Sequence, residues 1–234
     1  MIKEIFGKKI GMTQMFSPEG ELLPVTLVEV EPACVLEKIT YANKERAKIG
    51  CFKIKDTKTS KVKKPQKGYF EKIGVPPYKF IKEVEIEKDQ LKESVPEEDK
   101  QKPKEKELDK DEQKQEKKAP SRYVGIEMFS QGQLLTARAK TKGKGFAGAI
   151  KRHKMHKQPS SHGSGMHRRV GSVGASATPS KIAKNKKMPG HLGSSYRVTK
   201  NLRILKIDKE KKVIFIRGSI AGSKGTIVKL TKQN

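Results

Sequence analysis

Between Met128 and Ile207 the chain carries 18 lysines and arginines and not one aspartate or glutamate. A solvated protein surface of that length normally intersperses both signs of charge. A carboxylate facing phosphates would cost Coulomb energy at every close approach, so its absence reads as a surface turned toward phosphate along its whole length. All five histidines (His153, His156, His162, His167, His191) fall in this stretch, with glycines from Gly143 to Gly193 punctuating it. Such a segment cannot bury enough apolar surface to fold alone. It is expected to be extended and ordered mainly by its partner. Nucleic acid is the first candidate. An anionic membrane is the second, but it would call for a basic helix with a continuous apolar face, and none of useful length is present.

The formal net charge of the 234-residue chain is +27, and +18 of it lies in that stretch. Residues 1–87 are only +5 and residues 208–234 another +5, while residues 88–118 are −1. A loosely binding disordered tail is the bland alternative. Against it, the stretch is internal and flanked by strand-like sequence. It is also punctuated by Phe146, Met155, Met166, Val170, Val173, Ile182, Met188, Leu192 and Tyr196.

Other classes fall away. No apolar run approaches the roughly 18 residues of a membrane-spanning helix. The opening MIKEIFGKKIGM lacks the apolar core of a secretory signal and carries Glu4, unlike a transit peptide. Cys34 and Cys51 are too few for a disulfide framework and read as reduced thiols of a cytosolic protein.

The flanks read as short strands: 1–16, 22–31, 34–39, 47–54, 78–86 and 133–139, then a hairpin of 202–208 with 212–217, and a last strand at 226–230. Ser17-Pro18-Glu19-Gly20 is a turn signal, Lys58–Lys67 a basic loop, and Phe146–Ile150 the start of a short helix. Residues 88–118 are 21 charged positions out of 31, interrupted by Pro96 and Pro103, and read as a solvated insert without a core role. Many short strands separated by turns predict a mainly β fold, a barrel or sandwich. The expected organisation is one β-barrel domain from 1–87, 123–139 and 197–234, a charged disordered insert at 88–122, and an extended basic arm at 140–196.

No motif supports catalysis. Gly143-Lys144-Gly145-Phe146-Ala147-Gly148 has dinucleotide-loop spacing, but the next acidic residue is Asp208 and no βαβ pattern surrounds it. Gly218 to Thr226 resembles a phosphate loop without its spacing and reads as a glycine-rich turn. The histidines lack nearby cysteine or carboxylate partners, so stacking on bases or contacting phosphate suits them better than metal. Ser160, Ser161 and His162 have no orienting acid. Aromatics are too sparse for a paired-aromatic RNA-binding sheet, whereas dispersed cations on a glycine-rich arm suit structured RNA, read through shape, phosphates and 2′-hydroxyls.

Several long segments, in order, carry a resemblance. Gly7-Lys8-Lys9-Ile10-Gly11-Met12-Thr13-Gln14-Met15-Phe16 resembles the opening of the bacterial-type large-subunit ribosomal protein L-three family, and Pro24-Val25-Thr26 to Glu29-Val30-Glu31 its second strand. Thr141 to Gly148, His162-Gly163, Gly165 to Gly174, Thr178-Pro179 and Lys186 to Gly193 resemble its arm. The resemblance spans nearly the whole chain except 88–118. It implies a translation-protein-type β-barrel on the subunit surface, with an arm that penetrates ribosomal RNA and approaches the peptidyl transferase centre without catalysing. It also implies early binding during assembly, proteins of the L-fourteen and L-nineteen types as neighbours, and a cytoplasmic place in the ribosome. Two departures stand out. Many relatives carry glutamines at the arm tip, one of them methylated, where this chain has Ala175-Ser176-Ala177. The charged insert is unusual for the family.

The candidate RNA-contacting residues are Lys140, Lys142, Gly143, Lys144, Gly145, Lys151, Arg152, Lys154 and Lys157 where the arm begins. Near and behind the tip they are His162, His167, Arg168, Arg169, Lys181, Lys184, Lys186, Lys187, His191 and Arg197. The tip itself is Gly174, Ala175, Ser176, Ala177 and Thr178. A structural constituent of the large subunit that binds its RNA and nucleates assembly is the leading expectation, and a free cytosolic RNA-binding chaperone the alternative. No catalytic residue, cofactor, metal, membrane or small-molecule substrate is expected.

Overall fold

The computed structural model describes residues 2–41, 45–54, 62–86 and 123–233. The charged insert expected at 88–122 lies outside the described residues, as does the Lys58–Lys61 part of the expected basic loop.

Six strands close into an antiparallel barrel. They are β1 (Glu4–Phe16), β2 (Leu22–Glu29), β7 (Leu134–Lys140), β10 (Tyr196–Asp208), β11 (Val213–Arg217) and β12 (Ile227–Lys232), arranged β1-β12-β7-β10-β11-β2 and back to β1. Both flanks of the acid-free stretch therefore contribute to one barrel. The strands form because inward positions alternate with solvated ones: β7 runs exposed, buried, intermediate, buried, exposed, buried, exposed. Register stacks the inward side chains in layers. Ile5 faces Leu230, which faces Ala137, and Gly7 faces Val228, which faces Ala139. Large residues thus alternate with small ones, as a narrow barrel requires. Gly7 is obligatory in this packing: a Cβ there would lie 2.5 Å from Val28 Cγ1 and 2.8 Å from the Glu29 carbonyl oxygen. Register shifts between Lys9 and Gly11 in β1 and between Thr199 and Leu202 in β10 bend the two longest strands around the barrel.

A second sheet, not anticipated as a separate unit, has the order β5-β4-β3-β6 from β3 (Ala33–Thr40), β4 (Glu45–Lys53), β5 (Tyr78–Glu85) and β6 (Tyr123–Val124). Its inward residues Ala47, Ile49, Cys51 and Val84 join the barrel residues in one continuous core. Phe6 and Phe80 make an edge-to-face contact at that junction, with ring centroids 5.1 Å apart.

The expected loop at Lys58–Lys67 is corrected: α1 spans Lys64–Ile73. Pro65 occupies its first turn, where no amide is needed, and Gly74 closes it in the left-handed conformation at φ 70°. The helix buries Phe70 against Cys34 and Tyr78. Its basic first turn conceals an apolar stripe, which is why charge alone suggested a loop. At Phe146–Ile150 the expected helix is preceded by a two-residue strand, β8 (Phe146–Ala147), and α2 covers Ala149–His153. Among the described residues, no helix is long and apolar enough to cross a membrane.

Candidate nucleic-acid interface

The arm leaves the barrel between two hydrogen-bonded neighbours. Lys140, the last residue of β7, pairs with Tyr196, the first of β10. The ladder then continues outward as a stem. Thr141 N donates to Ser195 O at 2.9 Å, Lys144 N to Leu192 O at 2.8 Å, and Leu192 N to Gly145 O at 3.0 Å. Beyond these, β8 pairs with β9 (Gly190–His191). Gly193 makes the stem possible. Its φ is +77°, and a Cβ there would overlap the Lys142 carbonyl oxygen.

The stem is capped by α2. Arg152 Nη1 donates to Met188 O at 2.9 Å, and the His153 Nε2–H does so to the same oxygen at 2.9 Å. Ala147 and Ala149 are buried beneath this cap. Past it, no residue from 154 to 187 is buried. The side-chain hydrogen bonds there are local: His167 Nδ1–H to Pro159 O at 2.8 Å, Ser164 Oγ to Gln158 Oε1 at 2.6 Å, and Ser172 Oγ to Gly174 O at 3.1 Å. At the tip, Val173, Gly174, Ala175, Ser176, Ser180, Lys181 and Ile182 line a shallow indentation.

The structure brings the expected residues onto one continuous feature. Lys140 ends β7, Lys142, Gly143, Lys144 and Gly145 follow it along one side of the stem, His191 lies on the other side, and Arg197 at the root, all exposed. Lys151 and Arg152 stand on α2, and Lys154 follows it in the left-handed conformation at φ 54°. Lys157, His162, His167, Arg168, Arg169, Lys181, Lys184, Lys186 and Lys187 are exposed along the outer arm, as is the tip Gly174–Thr178. Among the described residues no arm lysine or arginine pairs with a carboxylate. The positive field is therefore left to an external anion. Nor do three or more His, Cys, Asp or Glu side chains gather among the described residues in a way that could hold a metal.

Two features escaped the sequence reading. Arg138 lies over the Tyr196 ring at 4.9 Å, fastening the arm's root by a cation–π contact. Lys9 is buried and donates from Nζ to Ile220 O at 2.6 Å and Gly222 O at 3.3 Å. Burial first, and the nearby Lys142 charge second, hold its ammonium below the ordinary lysine pKa. The phosphate-loop look-alike at Gly218–Thr226 is thus the loop that Lys9 anchors at the arm's root. A Cβ on Gly222 would lie 2.8 Å from the Lys140 carbonyl oxygen. The buried ammonium could not have been read from Lys8-Lys9, because the carbonyls that accept from it, Ile220 O and Gly222 O, lie on a loop more than 200 positions away.

The structure defines a small closed barrel that carries an exposed cationic arm without a core of its own. The comparisons with known proteins give that architecture its family. Residues 104–214 match the family model described as ribosomal protein L3. A large ribosomal subunit protein uL3 from Oceanobacillus iheyensis is 36% identical over 236 residues, covering 99% of this chain and 97% of the relative. One from Carboxydothermus hydrogenoformans is 36% identical over 230 residues, covering 97% and 96%. One from Spiroplasma kunkelii is 38% identical over 227 residues, covering 97% and 76%. The chain belongs to the ribosomal protein uL3 family, a family of structural ribosomal components and not of enzymes.

Proposed function

We propose that this protein is a structural constituent of the large ribosomal subunit that binds large-subunit RNA directly, helps nucleate its assembly, and extends the arm 140–196 toward the peptidyl transferase centre. The observation that carries this reading is the exposure of every arm cation on a segment without a core. Thirteen lysines and arginines lie between Lys140 and Tyr196 with no acidic residue. Left in water they repel one another, and against phosphates they release counterions and gain affinity. The glycines let backbone approach RNA closely, and Pro159, Pro179 and Pro189 lower the entropy lost when the arm is ordered. The barrel is the rigid base from which the arm is aimed. Proteins of the L-fourteen and L-nineteen types are its neighbours in this reading, and its place is the cytoplasmic ribosome.

The tip works through backbone and small side chains. Ala175, Ser176 and Ala177 offer no side-chain amide, so amide methylation has no substrate at these three positions. Sucrose-gradient fractionation of cell lysate tests the proposal. At moderate salt the protein should sediment with large subunits. Recovery in the slowly sedimenting fractions, free of ribosomal RNA, would contradict it and favour a free RNA-binding protein.

A further inference from the structure

We propose that Phe146, with His191 beside it, is a stacking platform for an unpaired nucleobase at the arm's stem. This inference rests on the RNA-binding reading above and specifies one recognition element within it. Phe146 is 77% exposed, a degree of exposure matched among the exposed large apolar residues by Phe16. A single exposed apolar side chain is ordinary, but three features set Phe146 apart.

The first is rigidity. Phe146 pairs in register with His191; the bonds Lys144 N to Leu192 O and Leu192 N to Gly145 O hold the ribbon on the root side, and the Ala147–Gly190 pair holds it on the outer side. Residues directly opposite on an antiparallel ribbon project from the same face, so ring and imidazole stand side by side. The second is orientation. The next residue, Ala147, is buried, and successive strand residues point to opposite faces, so the Phe146 ring is held on the outer face. Among the described residues no aromatic ring or cation stacks on it, whereas Tyr196 is covered by Arg138. The third is charge. Lys142, Lys144, Lys151 and Arg152 surround it in sequence and no carboxylate lies between residues 128 and 207. Phe16, by contrast, is followed by Glu19 and Glu21. A rigid π-face framed only by cations suits a base whose own phosphates those cations hold. An apolar protein surface would gain nothing from them.

The test uses the full-length chain and protein-free large-subunit ribosomal RNA from the cells that make it. Phe146→Ala should weaken binding by about 5- to 150-fold, the range of one lost stack. The slope of log affinity against log salt should stay unchanged, because no phosphate contact is removed. Phe146→Leu should be weakened similarly and Phe146→Trp should bind like wild type. Irradiation of assembled subunits at 254 nm should give a nucleotide adduct on the peptide containing Phe146. Full affinity in Phe146→Ala, full rescue by Phe146→Leu, or a cross-link to protein instead of RNA would each overturn the inference. Failure of the wild-type chain to bind the RNA would overturn the proposed function itself, so the two failures are distinguishable.

Discussion

The buried Lys9 ammonium donates a hydrogen bond to the Ile220 carbonyl at 2.6 Å, tying β1 to a loop 211 positions away. The same loop exchanges backbone bonds with Lys9, Gly225 N donating to Lys9 O at 2.7 Å and Lys9 N donating to Thr226 O at 2.9 Å. Thr26 adds a bond from Oγ1 to Gly218 O at 2.6 Å. These bonds hold Gly218–Thr226 over the barrel where the arm departs. Lys9→Met keeps the aliphatic stem but leaves the Ile220 and Gly222 carbonyls without their charged donor. It should cost about 1.5–3 kcal/mol, the range for a hydrogen bond to a charged group. Urea denaturation at neutral pH measures this, and an unchanged midpoint would mean the ammonium is not an anchor.

Gly193 lets the two sides of the stem approach closely. Gly193→Ala combines a positive φ with overlap of the Lys142 carbonyl. The damage should stay local, since the barrel core holds no residue from the stem between Thr141 and Ser195. Amide hydrogen exchange should rise at Thr141, Lys144 and Leu192, whose N–H groups form the stem ladder. Protection at the β1–β12 pairing should persist. Equal loss in both places would show that barrel and arm unfold together.

Cys51 gives the protein an alkaline limit. Burial pushes its thiol from 9.0 up to about 12. Between those values the unfolded chain releases a proton that the folded chain retains. This contribution to stability is therefore complete below pH 9 and is lost as pH rises toward 12. Denaturation under reducing conditions at pH 8 and pH 10.5 should show a loss of stability that is smaller in Cys51→Ala. Identical pH slopes in the two proteins would contradict the assignment.

Arg168 and Arg169 are exposed on the outer arm without carboxylate partners among the described residues. Replacing both by alanine should weaken binding to large-subunit RNA. It should also reduce the salt slope by about 2, roughly one for each phosphate contact removed. A weakened complex with an unchanged slope would mean they act through shape and not charge.

The barrel and the arm were legible in the sequence for different reasons. Alternation exposed the strands: Leu135, Ala137 and Ala139 face inward while Leu134, Arg138 and Lys140 face out, and that pattern is local. The arm was legible by omission, because an acid-free run is visible without any fold. Which strands close the barrel was not, since that depends on β1 meeting β12 across the whole chain, as in Ile5 opposite Leu230. The α1 helix was masked by its own lysines. The buried role of Lys9 depends on a loop more than 200 positions away, and Phe146 became notable only once its neighbour Ala147 proved buried.

In the proposed function the arm 140–196 enters the RNA of the large subunit while the barrel stays at its surface. A cryo-electron-microscopy map of large subunits from the cells that make this protein tests it directly. Density for Gly174–Thr178 should lie deep in the subunit near the peptidyl transferase centre, with Arg168 and Arg169 against phosphates and Phe146 against a base. An arm lying on the subunit surface or projecting into solvent would contradict it.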